Sequence, residues 1–113
     1  KRWFSNEFLV KNPKIYKEIF GMLENNNHKN FIKAYELFAN YRDNDDLGKI
    51  KTKTLIMTGE NDVGSTPEMS MNLSKKIKGS KYVEIKGGKH LCSIECPDDV
   101  NMTLKQFIDE NNA

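Results

Sequence analysis

Two side chains with complementary acid and base chemistry each follow a short apolar segment. Asp62 lies in the loop after residues 54–58, and His90 lies in the loop after residues 82–85. A carboxylate bonded to an imidazole fixes the tautomer of the ring and stabilises the imidazolium that forms when histidine takes a proton from a nucleophile. Asp62 and His90 are therefore a candidate acid and base, provided that the fold brings their loops together.

The two apolar segments are predicted to be parallel strands joined by a helix. The first is rich in β-branched residues, the second alternates, and residues 67–78 between them show helical spacing. The apolar side of this helix is predicted to be Met69, Leu73 and Ile77, with Gly79 as its cap. A connection of this length makes the two strands parallel, and the crossover between them right-handed. Since functional groups gather at the carboxyl ends of parallel strands, we expect Asp62 and His90 to meet.

Helices are predicted on both sides of this unit. Before it, two apolar stripes indicate two amphipathic helices, the second ending near residues 42–43. Their stripes are Ile15, Ile19 and Met22, then Phe31, Tyr35 and Phe38. A last helix is predicted to begin at Pro97, and it carries Val100, Leu104, Phe107 and Ile108. The sequence thus predicts an α/β fold with a helical segment at residues 1–47, a core segment at residues 48–113 and a joint near residues 43–48.

The strand at residues 54–58 is too apolar for the edge of a sheet. Its second neighbour is expected either upstream of Lys1 or in another copy of the chain, which would form a homo-oligomer through that edge.

Two segments of the sequence resemble α/β-hydrolases. Residues 55–62 with Thr66 and Pro67 resemble the acid-bearing strand and turn of that family, and residues 87–97 resemble its histidine loop and the following helix. The helical first part, which opens Arg2-Trp3-Phe4, is similar to the end of the family's cap. The His-Leu-x-x-(Val/Ile)-Glu-x-Pro run is most like the 3-oxoadipate enol-lactonase group. The resemblance implies that Asp62 is the acid and His90 the base of a triad.

The third member of that triad is missing from the sequence. The family's nucleophile lies on a Gly-x-Ser-x-Gly turn, and no such pentapeptide occurs among these 113 residues. The serines without that setting are Ser5, Ser65, Ser70, Ser74, Ser80 and Ser93. The resemblance therefore implies a carboxyl-terminal fragment that is inactive alone, and the start at Lys1 without methionine is expected of a fragment.

Arg2 and Trp3 are candidate substrate-binding residues, because a cap residue facing the cleft can contact a carboxylate and an apolar body. The alternative is that Trp3 packs the cap against the core while Arg2 is solvated, as aromatic residues more often do.

The leading functional interpretation is a serine-type hydrolase of a small ester or lactone. A cofactor-free haloperoxidase or an acyltransferase would share the acid and the histidine, and a non-catalytic dimeric binding or assembly module is the alternative from another class.

No cofactor and no metal are predicted, since His90, Cys92 and Cys96 lack a paired Cys-x-x-Cys set and a fourth ligand. Cys92 lies on no nucleophile turn and is expected to be a small buried side chain.

Composition excludes several other classes of protein. The net charge of +2 comes from interspersed charges, so no basic face is available for nucleic acid. No apolar run approaches the about 20 residues of a membrane span, and no signal segment is visible, so we expect no membrane partner and a cytoplasmic location. Two cysteines are too few for a disulfide framework.

Overall fold

The computed structural model describes residues 2–41 and 45–112. The helices are α1 (Asn6–Lys11), α2 (Pro13–Glu24), α3 (His28–Asn40), α4 (Pro67–Lys76), α5 (Cys92–Glu95) and α6 (Pro97–Asn111), and a 3₁₀ turn covers Asp45–Lys49. The strands are β1 (Leu55–Gly59) and β2 (Lys81–Ile85). In the described ranges no helix combines the length and the apolarity needed to cross a bilayer.

Side-chain caps fix where several helices begin. The Ser5 hydroxyl accepts the Phe8 N–H at the start of α1, and the Asn27 side chain accepts the Asn30 N–H at the start of α3. This cap makes His28 the first residue of α3. The predicted helix end near residues 42–43 lies outside the described residues, and α3 itself ends at Asn40.

The strands β1 and β2 are parallel, as predicted. The register runs from Leu55 opposite Lys81 to Gly59 opposite Ile85. Helix α4 covers the face that carries Tyr82, whose hydroxyl donates to the Pro67 carbonyl at 3.3 Å, and α6 packs on the other face of β2. The core is apolar and consists of Phe4, Ile56, Ile77, Ile85 and Val100. A second neighbour for β1, and a homo-oligomer formed through it, stay predictions.

The packed side of α4 differs from the predicted one. Met69 and Leu73 are exposed, whereas Ser70 and Ser74 are half-buried, so the serines face the sheet. Ile77 is buried, but it lies in extended backbone beyond the helix end at Lys76. Gly79 is therefore not the cap; it lies in the turn that follows, with φ of 81°.

Helix α6 begins at Pro97 as predicted, and only some of its apolar residues pack against the rest of the chain. Val100 and Thr103 are buried and Phe107 is half-buried, whereas Leu104 and Ile108 are exposed. The Thr103 hydroxyl donates to the Asp99 carbonyl at 2.8 Å, so its polar group is satisfied inside the helix and can be buried without another partner.

Two further features were not predicted. The single-turn helix α5 follows the histidine loop directly, and helix α1 precedes the first apolar stripe, which lies wholly within α2. Most large apolar side chains of α2 and α3 are exposed, among them Phe20, Tyr35, Leu37 and Phe38.

Candidate active site

Backbone hydrogen bonds hold the loops after β1 and β2 together. The N–H groups of Glu60 and Asn61 donate to the carbonyls of Ile85 and Gly88 at 2.9 and 2.8 Å. Gly59 permits this close approach, because a Cβ there would lie within about 2.4 to 2.5 Å of the Lys89 and Gly88 carbonyl oxygens. The two loops therefore form one continuous structure at the carboxyl edge of the sheet.

Asp62 and His90 meet at this edge, as predicted. Asp62 Oδ2 lies 2.8 Å from His90 Nδ1, and the carboxylate side chain is only 5% exposed. Its other oxygen, Oδ1, accepts the N–H groups of Gly64 at 2.8 Å and Ser65 at 3.1 Å. The Thr58 hydroxyl donates to the Ser65 carbonyl at 2.9 Å, which fixes the turn that supplies those donors. The orientation of the carboxylate is thus determined before any substrate binds.

These contacts keep Asp62 ionised. Burial acts to raise the pKa of Asp62, but the hydrogen bonds from the Gly64 N–H, the His90 ring and the Ser65 N–H outweigh it. The pKa of Asp62 is therefore lowered from its ordinary value. A carboxylate ionised at neutral pH is the form that can orient an imidazole and stabilise its positive charge.

The same contacts specify the tautomer of His90. Because an ionised carboxylate only accepts hydrogen bonds, the hydrogen of the neutral ring lies on Nδ1 and the lone pair lies on Nε2. The His90 side chain is 44% exposed, whereas that of Asp62 is buried. The arrangement presents an accessible base supported by an inaccessible acid, which is what general-base activation of a nucleophile requires.

The lowered pKa of Asp62 predicts a loss of stability in acid. A depressed carboxylate pKa contributes stability that is fully present well above the unfolded value of about 3.9 and is lost as pH falls through the folded pKa. Urea midpoints of the wild type should therefore fall more steeply below about pH 4 than those of Asp62→Asn, which has no such titration. Parallel pH dependences for the two proteins would contradict this assignment.

A cavity of about 670 Å³ lies beside this pair. Asp62 and His90 line one side of it, and α3 lines another with Phe31, Tyr35 and Phe38. The wall is therefore apolar and aromatic, with a titratable pair at one point, a composition typical of small-molecule sites.

Arg2 and Trp3 also line this cavity, so the structure brings both of these candidates to the pair. The Trp3 carbonyl accepts the Leu91 N–H at 3.1 Å, which ties this segment to the histidine loop. Trp3 is 37% exposed and Arg2 is exposed, so neither is buried in the core. Their role in binding a substrate stays a prediction.

Three features of the site were missed in the sequence. The Gly64 and Ser65 N–H groups hold Asp62, and the Glu95 carboxylate accepts the Lys89 N–H next to His90. Backbone donors have no residue type that signals them. The α3 aromatics were recognised as an apolar stripe, and only the fold shows that the stripe faces the acid and the histidine.

The surroundings of the two cysteines disfavour them as nucleophiles. Both are free and partly buried, and burial raises the pKa of the Cys92 thiol and of the Cys96 thiol. A raised pKa lowers the fraction of reactive thiolate. Within residues 2–41 and 45–112, no group of three histidine, cysteine or acidic side chains is arranged to hold a metal ion.

A crystal structure of the enol-lactonase from Burkholderia xenovorans LB400 matches 96% of this chain and 41% of its own, with a TM-score of 0.91 and 23% identity. That likeness confirms the predicted α/β-hydrolase fold, and the chain corresponds to a part of it.

A curated relative agrees with this result. The (E)-2-((N-methylformamido)methylene)succinate hydrolase of Acinetobacter baylyi is 26% identical over 113 residues, which cover 96% of this chain and 41% of that protein. No family model matches the chain. The chain thus spans about two fifths of the length of each protein it matches, and the predicted resemblance to α/β-hydrolases is confirmed.

Proposed function

We propose that this chain supplies the acid and the base of a serine-type hydrolase that cleaves a small ester or lactone. The observation that carries the proposal is the hydrogen bond of 2.8 Å between the buried Asp62 and the accessible His90 beside an aromatic-walled cavity. The nucleophile and the oxyanion hole come from residues outside these 113, because the sequence holds no Gly-x-Ser-x-Gly turn.

In this mechanism His90 acts twice. Its Nε2 first accepts the proton of the serine hydroxyl while the serine oxygen bonds to the carbonyl carbon, and Asp62 stabilises the resulting imidazolium. The imidazolium then donates that proton to the leaving oxygen as the ester or lactone bond breaks. In the second half His90 takes a proton from water, which attacks the acyl-enzyme, and returns it to the serine oxygen.

The walls of the cavity support a small, partly apolar and anionic substrate. Phe31, Tyr35 and Phe38 would contact its carbon skeleton, with Trp3 beside them, while the exposed Arg2 guanidinium would bind a carboxylate. The two matched proteins are an enol-lactonase and a substituted succinate hydrolase, and both names are consistent with that class of substrate. A 3-oxoadipate enol-lactonase-like reaction is the specific form that we propose.

The isolated chain should not hydrolyse p-nitrophenyl esters. Without the nucleophile, His90 has no hydroxyl to activate, so the rate should equal that of buffer with an unreactive protein. The product of a longer reading frame that includes the sequence upstream of Lys1 should contain a Gly-x-Ser-x-Gly turn and show turnover that is abolished by replacing that serine.

Two results would contradict the proposal. One is an upstream sequence without such a turn. The other is turnover by the isolated chain that His90→Ala abolishes, since that would reveal a nucleophile among these 113 residues.

A further inference from the structure

The two neighbours of His90 in the chain are both anchored through their backbone N–H groups. The Lys89 N–H donates to Glu95 Oε2 at 3.0 Å, and the Leu91 N–H donates to the Trp3 carbonyl at 3.1 Å. His90 is therefore held on both sides, although its own side chain is 44% exposed and has little packing to orient it.

Glu95 connects these two anchors. Its second oxygen, Oε1, accepts the Ser5 N–H at 2.9 Å, so one carboxylate bridges the histidine loop and the segment that carries Trp3. Ser5 and Glu95 lie 90 positions apart in sequence. The single-turn helix α5 places the carboxylate there, since Glu95 is its last residue and its first directly follows Leu91.

We propose that Glu95 is a positioning residue for His90. By binding the Lys89 and Ser5 N–H groups together, it holds the imidazole where Nδ1 reaches Asp62, and it holds Arg2 and Trp3 at the cavity wall. The inference rests on the proposed function, because a base needs this alignment to act on a nucleophile. Glu95 touches no reacting atom and acts through the backbone of the loop.

The test is the tautomer of the His90 ring in the 113-residue chain, read from long-range ¹⁵N–¹H imidazole spectra. In the wild type the neutral ring should carry its hydrogen on Nδ1 and show a downfield proton bonded to Asp62. Glu95→Ala removes both acceptors, so the downfield signal should be lost and the Nε2–H form should grow. The Lys89 and Ser5 amides should also exchange faster with solvent.

Two further variants keep the test decisive. Glu95→Gln preserves the shape of the side chain but offers one acceptor oxygen for two N–H donors, so the downfield signal should be partly lost. If Glu95→Ala does not fold, Glu95→Gln is sufficient for the test. Glu110→Gln removes an exposed carboxylate of α6 that pairs with Lys81 of β2. This control should leave the His90 signals unchanged.

An unchanged His90 tautomer in folded Glu95→Ala or Glu95→Gln would overturn the inference, because a residue that only stabilises the fold would change the amide exchange alone. The readout does not involve turnover. If the proposed hydrolase activity is not found, the effect of Glu95 on the His90 tautomer can still be measured. If the enzyme is active but the His90 tautomer is unaffected by the Glu95 variants, only the role of Glu95 is refuted.

Discussion

Replacing Asp62 with asparagine should lower kcat of the proposed complete hydrolase by about four orders of magnitude, the scale of the equivalent change in known acid–histidine–serine enzymes. The asparagine oxygen can still accept the N–H groups of Gly64 and Ser65. Its amide nitrogen then faces His90 Nδ1 as a donor, which forces the ring into the Nε2–H tautomer. That tautomer has no lone pair where the serine proton must go.

The measurement is the rate of ester or lactone hydrolysis by the product that includes the upstream sequence. Thr58→Val is a useful companion, because it removes one hydrogen bond to the Ser65 carbonyl and leaves the carboxylate in place. Its loss of kcat should be far smaller than that of Asp62→Asn. Equal effects of the two changes would mean that the shape of the turn matters and the charge of Asp62 does not.

The candidate pair could be predicted because both residues follow strands whose direction the sequence determines. The apolar segments, the helix between them and the rule for parallel crossovers were sufficient to bring Asp62 and His90 to one edge. The distance of 2.8 Å between them and the burial of one partner required the structure. The fixed position and burial of Asp62 depend on the backbone N–H groups of Gly64 and Ser65, and every residue type except proline supplies such a donor.

The packed sides of α4 and α6 include small hydroxyl side chains, the half-buried Ser74 and the buried Thr103. Ser74 and Thr103 donate their hydroxyl hydrogens to carbonyls of their own helices, at 2.8 Å in each case. A hydroxyl satisfied in this way can be buried without a partner across the interface, and its small volume allows a close approach to the sheet. Apolar periodicity overlooks such residues, so it selected Leu73 and Leu104, which the structure leaves exposed.

Glu95 illustrates a different limit of sequence reasoning. The His-Leu-x-x-Ile-Glu-x-Pro run contains it, but its partners are the N–H groups of Ser5 and Lys89, one of them at the opposite end of the chain. A sequence pattern of opposite charges or of apolar residues does not predict a contact between a carboxylate and backbone N–H groups. The function of this carboxylate becomes visible only when the histidine loop and the amino-terminal segment are seen side by side.

Gly59→Ala should destabilise the chain by about 3 kcal/mol or more, at the upper end of the cost of overpacking. The added Cβ would lie about 2.4 to 2.6 Å from backbone atoms of Gly88 and Lys89. Backbone atoms cannot rotate away as a flexible side chain can, so the two loops must separate. That movement would break the bond between the Asn61 N–H and the Gly88 carbonyl and, with it, the alignment of Asp62 and His90.

Thermal and urea unfolding measure this effect, with Gly21→Ala as the matched control. Gly21 lies inside α2, and apart from the backbone of its own helix an added Cβ would meet no atom within 4 Å, so alanine there should raise stability by up to about 1 kcal/mol through its helix propensity. The two substitutions add the same methyl group and should change Tm in opposite directions. A Gly59→Ala protein as stable as Gly21→Ala would show that the strand-end loops are not packed as described, and the proximity of the acid and the base would lose its structural basis.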